Sequence, residues 1–530
     1  MKRRDFLQTA GITTLSATVP VSIAERATAA EVASADDIRL AREISVAERP
    51  IADLQAAMSR GEITAAALTL AYLARIERID RGEAGFHAVL ASNPAALAAA
   101  AALDAERRAG SVRGPLHGIP LIIKDNIETR DPLPTTAGSL ALAGSTHEND
   151  APVVARLRSA GAIVLGKSNL SEWANYRSTR SVSGWSGVGG QTHNAYARDR
   201  NPSGSSSGSA VATALSLCAA SVGSETDGSI LAPSSVNGLV GLKPTVGLVS
   251  GNGIVPISPR QDTAGPIGRS VADVATLLAC MAERPIEGIR LDQLAAAGVR
   301  GLRIGVVAAS PAHPAVTAAS RLWPAIFERA GATLVDVRTP SGLRDFGDLE
   351  SEAMSYEFKA AINAYLASLV GHDLPRSLED LIRFNEAHAS TEMPHFGQEL
   401  FLEADARGDL QTPRYMRTLS ELNRLADRDG LAAMFRSQTV DLLLAPCNGP
   451  AEIIDSVLGD RSDATGGWPA ICSAAAVAGY PSITVPALTV ERLPVGIALV
   501  APRFRETTLL RAALAFESST HARQAPRSST

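Results

Sequence analysis

Short apolar runs of strand length recur along this chain, each separated from the next by a helical or turn-rich segment. That alternation constrains the fold more than any other feature. Ile119–Ile123 in GIPLIIKDN, Ala162–Gly166 in GAIVLGKS, and later VDLLLAP, SITVP and VGIALVAP are apolar at successive positions rather than at alternate ones. A strand apolar on both faces is buried on both faces, so helices must cover both sides of the sheet it joins. The intervening segments supply them. Asn93-Pro94 opens an alanine-rich helix to about Arg108, and Val153, Val154 and Leu157 fall at helical spacing after Pro152, with Gly161 as the cap. SAVATALSLCAA, residues 209 to 220, reads as helix. Leu302–Val307 and Thr333–Val337 flank a helical stretch from Pro314 to Ala330, which is a βαβ unit. Residues 340 to 435 are richer in charge, helical in period and free of strand signals, and are expected to form a helical cover on part of the sheet. A final helix runs from Glu506 to Ser518. No repeat or linker interrupts residues 40 to 525, so a single large α/β domain is expected.

Composition excludes several function classes. A formal charge of −5 leaves no basic footprint for nucleic acid. The four cysteines, Cys218, Cys280, Cys447 and Cys472, form no C-x-x-C pair, and the nine histidines show no H-E-x-x-H spacing, so no metal or redox cofactor is expected. The cysteines are expected to act as small buried apolar residues. Only five residues are lysines, at positions 2, 124, 167, 243 and 359, so a lysine closing an apolar strand, as Lys124 does, stands out.

Residues 1–29 have the grammar of an export signal: a basic head with Arg3-Arg4, a modestly apolar stretch from Phe6 to Ala24, and Ala27-Thr28-Ala29 as a small-residue cleavage site. Arg3-Arg4 followed by Phe6-Leu7 resembles a twin-arginine signal, which implies a periplasmic or secreted protein. No later apolar run has the 18 or so residues of a membrane span, so none is expected in the mature chain.

Two familiar patterns occur out of context. Gly161–Ser168 matches the phosphate-loop pattern, but its four variable positions are themselves an apolar strand and cannot form an anion-cradling turn. Gly204-Ser205-Ser206-Ser207-Gly208 matches the G-x-S-x-G nucleophile elbow, which would nominate Ser206, yet the residues before it are polar and turn-like instead of a buried strand. A third segment, GSETDGSI from Gly223, places Asp227-Gly228-Ser229 in a tight turn whose amides can converge on one oxygen, or is an ordinary loop.

Together, GIPLIIKDN, GSSSGS and GSETDGSI, with the flanking TTAGS, GKSNLSEW and VGLKPT, resemble the amidase signature family over most of residues 45 to 520. The resemblance implies a large mixed twisted sheet covered by helices on both faces, and a Ser-cisSer-Lys triad that needs no cofactor. Position by position, the lysine is Lys124, the bridging serine Ser205 and the nucleophile Ser229, with the backbone of Thr226, Asp227, Gly228 and Ser229 as the oxyanion hole. GSETDGSI and YEFKAAINAYLA look most like the peptide amidase branch, which implies a C-terminal peptide amide, or another small amide, as substrate. Other amidases and esterases of the family, a silent binding protein on the same fold and a transamidation subunit are the competing readings. Asp227 stands where the family usually has glycine, and serves either as a turn residue or as a substrate contact. Trp173 and Trp185 are expected in the core rather than the cleft.

Overall fold

The computed structural model describes residues 33–82, 85–308, 313–344, 346–371, 373–460 and 469–527. The expected export signal, residues 1–29, lies outside them. Among the described residues, eleven strands form one mixed sheet in the order Val89–Ser92, Ile163–Ser168, Pro120–Lys124, Ala220–Glu225, Thr263–Gly268, Val240–Lys243, Ser482–Val490, Leu493–Val500, Leu442–Pro446, Arg303–Val307 and Thr333–Val337. The central strands are buried along their whole length, the polar and charged residues at the carboxyl ends of Pro120–Lys124, Ile163–Ser168 and Ala220–Glu225 included. Ile163–Ser168, Pro120–Lys124 and Ala220–Glu225 run parallel, so their carboxyl ends lie at one end of the sheet.

Two elements differ from the sequence-based expectation. The helix expected over residues 209 to 220 spans Ser207–Ala214. The chain then turns, with Ser216 at φ 53°, and returns to the sheet as Ala220–Glu225. Ala220–Glu225 reads ASVGSE, small and polar residues without an apolar run, so the sequence pattern does not mark it as a strand. This strand carries the start of GSETDGSI into the sheet beside Pro120–Lys124, with Ile123 opposite Val222. The second difference lies in the βαβ unit. Its two strands pair in parallel, but the connection is two helices, Pro314–Ser320 and Pro324–Arg329. Pro324 has no N–H to continue the first helix, and starts the second in its first turn.

Helices Gly347–Ser368, Leu378–Ala387, Glu399–Asp405 and Pro413–Asn423 occupy the region expected to be helical cover. Phe358, Ile362, Leu381 and Phe401 from these helices pack on Trp173, Tyr176, Val255 and Ile257 in an apolar cluster separate from the main core. A buried charged knot pins the same region. Arg177 pairs with Glu172 at 2.8 Å and lies 4.3 Å from the Phe396 ring centroid, while Glu392 accepts hydrogen bonds from Leu140 N at 2.7 Å and Ser139 Oγ at 3.2 Å. Burial, together with the neighbouring Glu392, holds the Glu172 carboxyl well above the usual carboxylate range. Cys218, Cys447 and Cys472 are buried and Cys280 is half-buried; all four are free thiols. No helix of the described residues is long and apolar enough to cross a membrane.

Candidate active site

Lys124 closes its strand inside the protein, with no exposed surface. Its Nζ donates to Ser205 Oγ at 2.7 Å, to Ser224 Oγ at 2.9 Å and to the Ser224 carbonyl at 3.1 Å. Burial penalises the ammonium and lowers the Lys124 pKa to about 7, against the opposing pull of the Glu225 and Asp262 charges. Lys167 and Lys243 are also buried, in different settings. Lys167, in the sequence that matches a phosphate loop, lies on a strand and donates to the Ile127 carbonyl at 2.6 Å and Thr135 Oγ1 at 2.9 Å, with Asp125 at 3.4 Å. It is committed to the fold.

The serine run comes between the strand ends and the helix Ser207–Ala214. The Gly204–Ser205 peptide bond is cis. Glycine is required at 204 because a Cβ there would stand 2.1 Å from Ser171 Oγ and 2.8 Å from Ser183 Oγ. Ser205 points its hydroxyl at Lys124, whereas Ser206, also fully buried, donates to the Ser224 carbonyl at 3.0 Å and accepts from Ser224 N at 3.2 Å. Ser206 is thus a structural clasp between the run and the strand Ala220–Glu225, and the elbow pattern around it has no strand before it. The Ser206 amide donates to the Ser229 carbonyl at 3.1 Å, which holds the Ser229 turn against the serine run.

Ser229 is 7% exposed, the edge of a buried site rather than its interior. Gly228 before it takes φ 79°, a conformation that favours glycine, and the helix Leu231–Val236 follows. The Glu225 carboxylate fastens this corner by accepting from Ile230 N at 2.7 Å and Leu231 N at 3.0 Å, and the Gly228 amide also bonds to it. Burial raises the Glu225 pKa, and the buried Lys243 cation counters that rise. Lys243 in turn is lowered to about 8 by its own burial. Asp227 is close enough to Glu350 on the cover helix to help raise the Glu350 carboxyl, after burial, to about 8.

Three residues of this constellation were not singled out in the sequence: Ser224, Asn126 and Asp262. Asn126 Nδ2 donates to Ser224 Oγ at 2.9 Å. A cavity of about 10 Å³ lies against Ser205 and is lined also by Asn126, Ala174, Ser224, Thr226 and Asp262, closed by Ile254, Val255 and Ile257. Such a space holds one water-sized molecule. Ala174, at φ 54°, lines it, while its neighbours Trp173 and, further on, Trp185 are buried in apolar clusters, as expected from their sequence setting.

The family model described as Amidase matches residues 67–510. A probable amidase of Arabidopsis thaliana is 38% identical over 522 residues, covering 94% of each chain. The native peptide amidase of Stenotrophomonas maltophilia superposes with a TM-score of 0.85 at 46% identity, covering 91% of this chain and 99% of that one. The peptide amidase complexed with the competitive inhibitor chymostatin matches with the same TM-score of 0.85 and identity of 46%, covering 91% and 99% of the two chains.

Proposed function

From the premise that this chain belongs to the amidase family and is an amide-hydrolysing enzyme, we propose that it releases ammonia from C-terminal peptide amides through a Ser229–Ser205–Lys124 relay. The observation that carries the relay is the 2.7 Å hydrogen bond from Lys124 to Ser205 on a lysine lowered to about 7. A serine hydroxyl needs a base, and a lysine is a base only when neutral. Near neutral pH a large fraction of Lys124 is in that form.

In the proposed cycle Ser229 Oγ bonds to the amide carbonyl carbon, its proton passes to Ser205, and the Ser205 proton passes to Lys124 Nζ. The carbonyl oxygen becomes an oxyanion held by backbone amides of Thr226, Asp227 and Ser229, the Gly228 amide of the same turn being engaged by Glu225, each such donor contributing roughly 3 to 4 kcal/mol to the transition state. The carbon–nitrogen bond then breaks as Ser205 returns a proton to the leaving nitrogen and is reprotonated by Lys124. Ammonia departs. Water attacks the acyl-enzyme by the same relay, giving the free acid and regenerating Ser229.

Peptide amides are favoured as substrates by the 46% identity to the peptide amidase and by the single-molecule size of the cavity at Ser205. A leaving-group space of that size takes ammonia and excludes a following residue by overlap. The acyl chain lies toward the cover helices, where Val255 and Ile257 pass from the cavity wall into the apolar cluster. At equal concentration, an N-blocked dipeptide amide is expected to be hydrolysed at least tenfold faster than a long-chain fatty amide or an internal-bond peptide. Preference for the fatty amide, or efficient internal cleavage, removes the peptide amide assignment and leaves the relay standing.

Export by a twin-arginine route belongs to the same proposal and rests on Arg3-Arg4, Ala27 and Ala29. Changing both arginines to lysine is expected to retain precursor in the cytoplasm, with the mature wild-type chain beginning near Ala30. Normal export of the double-lysine variant refutes that route.

A further inference from the structure

We propose that Asp262 is a positioning residue of this site, joining the loop that carries Ser229 to the opposite wall of the Ser205 cavity. This inference rests on the relay assigned above. Asp262 Oδ1 accepts from Thr226 Oγ1 at 2.6 Å, and Oδ2 accepts from the amides of Ile257 at 2.9 Å and Ser258 at 3.0 Å. Its own amide donates to the Ser258 carbonyl at 2.8 Å, so the carboxylate is held from behind by a closed turn. One carboxyl group therefore fixes both the first residue of the Thr226–Ser229 turn and the backbone of the Ile254–Ser258 wall. Thr226, Ile254, Val255, Ile257 and Asp262 all line the cavity that contains Ser205. The strand that Asp262 precedes pairs with the strand before Thr226, Thr263 lying opposite Glu225, so the tie sits at the sheet end where Lys124 emerges.

The same placement gives Asp262 an electrostatic part. Its neighbours are Glu225 and Thr226 on the strand and loop beside it, Lys124, on which its charge acts, Arg260 and Gln261 in its own turn, and Glu357 on the cover helix, with Glu350 of the same helix held by Gln261. Arg260 is spent on Glu357 at 2.9 Å, and Gln261 on Glu350 at 2.8 Å. Asp262, with Glu225, is one of the two anionic charges that act on Lys124 and favour its protonated form. Burial, with a smaller push from Glu357, raises the Asp262 carboxyl to about 7, and the bonds from Thr226, Ile257 and Ser258 resist that rise.

Two variants separate the two parts. In Asp262→Asn the amide oxygen can keep the two wall amides while the NH2 donates to Thr226 Oγ1, so the tie remains and the charge is lost. The acid limb of kcat/KM is then expected to move to lower pH, because Lys124 loses a carboxylate that held its proton, the shift being reduced by the fraction of Asp262 that is already protonated near pH 7. In Thr226→Val the charge remains and the tie is lost. Here kcat is expected to fall about ten- to a hundredfold with the limb in place, the scale of a misplaced reacting group. Thr226→Ser, which keeps the hydroxyl, is expected to restore most of that loss. An unmoved limb in Asp262→Asn, or unchanged kcat in Thr226→Val, overturns the proposal. Labelling of the wild-type protein by a fluorophosphonate keeps the two readings apart. If Ser229 is not the labelled residue, the relay itself fails; if Ser229 is labelled and the variants behave as wild type, only the role of Asp262 fails.

Discussion

Replacing Ser229 by alanine is expected to lower kcat/KM by about five to six orders of magnitude and to abolish covalent capture by a fluorophosphonate, with the fold unchanged. The scale follows from losses seen when a serine nucleophile is removed while binding and oxyanion donors remain. Ser229 is at the rim of the buried site, and it is its backbone carbonyl that holds the Ser206 amide, so alanine keeps that contact. Ser206→Ala is the control with the opposite profile. It removes the hydroxyl that clasps Ser224 from both sides, which costs about 1 to 3 kcal/mol of stability for buried partners left unpaired. It is expected to melt earlier and still to be labelled on Ser229. Peptide mapping of the adduct and thermal melts of both variants distinguish these outcomes, and an adduct on Ser206 would invert the assignment.

Lys124→Met is expected to lose activity by three orders of magnitude or more and yet to gain stability at pH 6. The acid limb of wild-type kcat/KM is expected near pH 7, where the buried lysine gives up its proton. Folding feels the same titration with a defined sign. The folded value of about 7 lies below the unfolded value of 10.5, so between these limits the unfolded chain binds more protons and wild-type stability rises with pH. Below pH 7 the folded protein carries the full cost of the buried ammonium, roughly 4 to 5 kcal/mol from the size of the shift. Methionine removes that cost but takes from the buried Ser205 hydroxyl its Lys124 partner and leaves Ser224 with Ser206 and Asn126 alone as donors, an offset of about 1 to 3 kcal/mol. A net gain on the order of 2 kcal/mol is expected at pH 6, shrinking as pH rises above 7 and giving way to a small net loss before pH 10.5, above which the wild-type lysine is neutral in both states. Melts of the two proteins across that range test the sign. A variant that melts below wild type at pH 6 contradicts the cost assigned to the charge.

The parts of the site legible in the sequence were those whose local pattern is unusual on its own. Lys124 ends an apolar strand in a chain with few lysines, and the elbow around Ser206 could be dismissed because the residues before Gly204 are not a strand. The illegible parts depend on pairing between distant segments. Ser224 meets Lys124 and Asn126 across about a hundred residues of sequence, and only because Ala220–Glu225 is a strand, whose sequence ASVGSE mixes small, polar and charged residues and carries no apolar run to announce it. Asp262 is in the same position. Its partners at 257 and 258 are local, but Thr226 arrives from a neighbouring strand end. Apolar periodicity is also blind to proline punctuation, and Pro324 divides one expected helix into two.

The knot of Glu172, Arg177 and Glu392 bears on how the substrate range of this enzyme could be altered by exchanging parts with a relative. Glu392 comes from the cover region, while Glu172 and Arg177 come from the segment between the lysine strand and the serine run, and all three are shut away from solvent. A chimera that imports a foreign cover without an acid at that point would leave Ser139 and the Leu140 amide without their acceptor and alter the charge balance around Arg177. Breaking a buried charged cluster by removing one member costs about 3 to 5 kcal/mol, a large part of the stability of a folded chain. Segment exchange therefore has natural boundaries here: the cover can be transplanted with its acid at 392, or together with the Glu172–Arg177 turn, but not by loop length and apolar pattern alone.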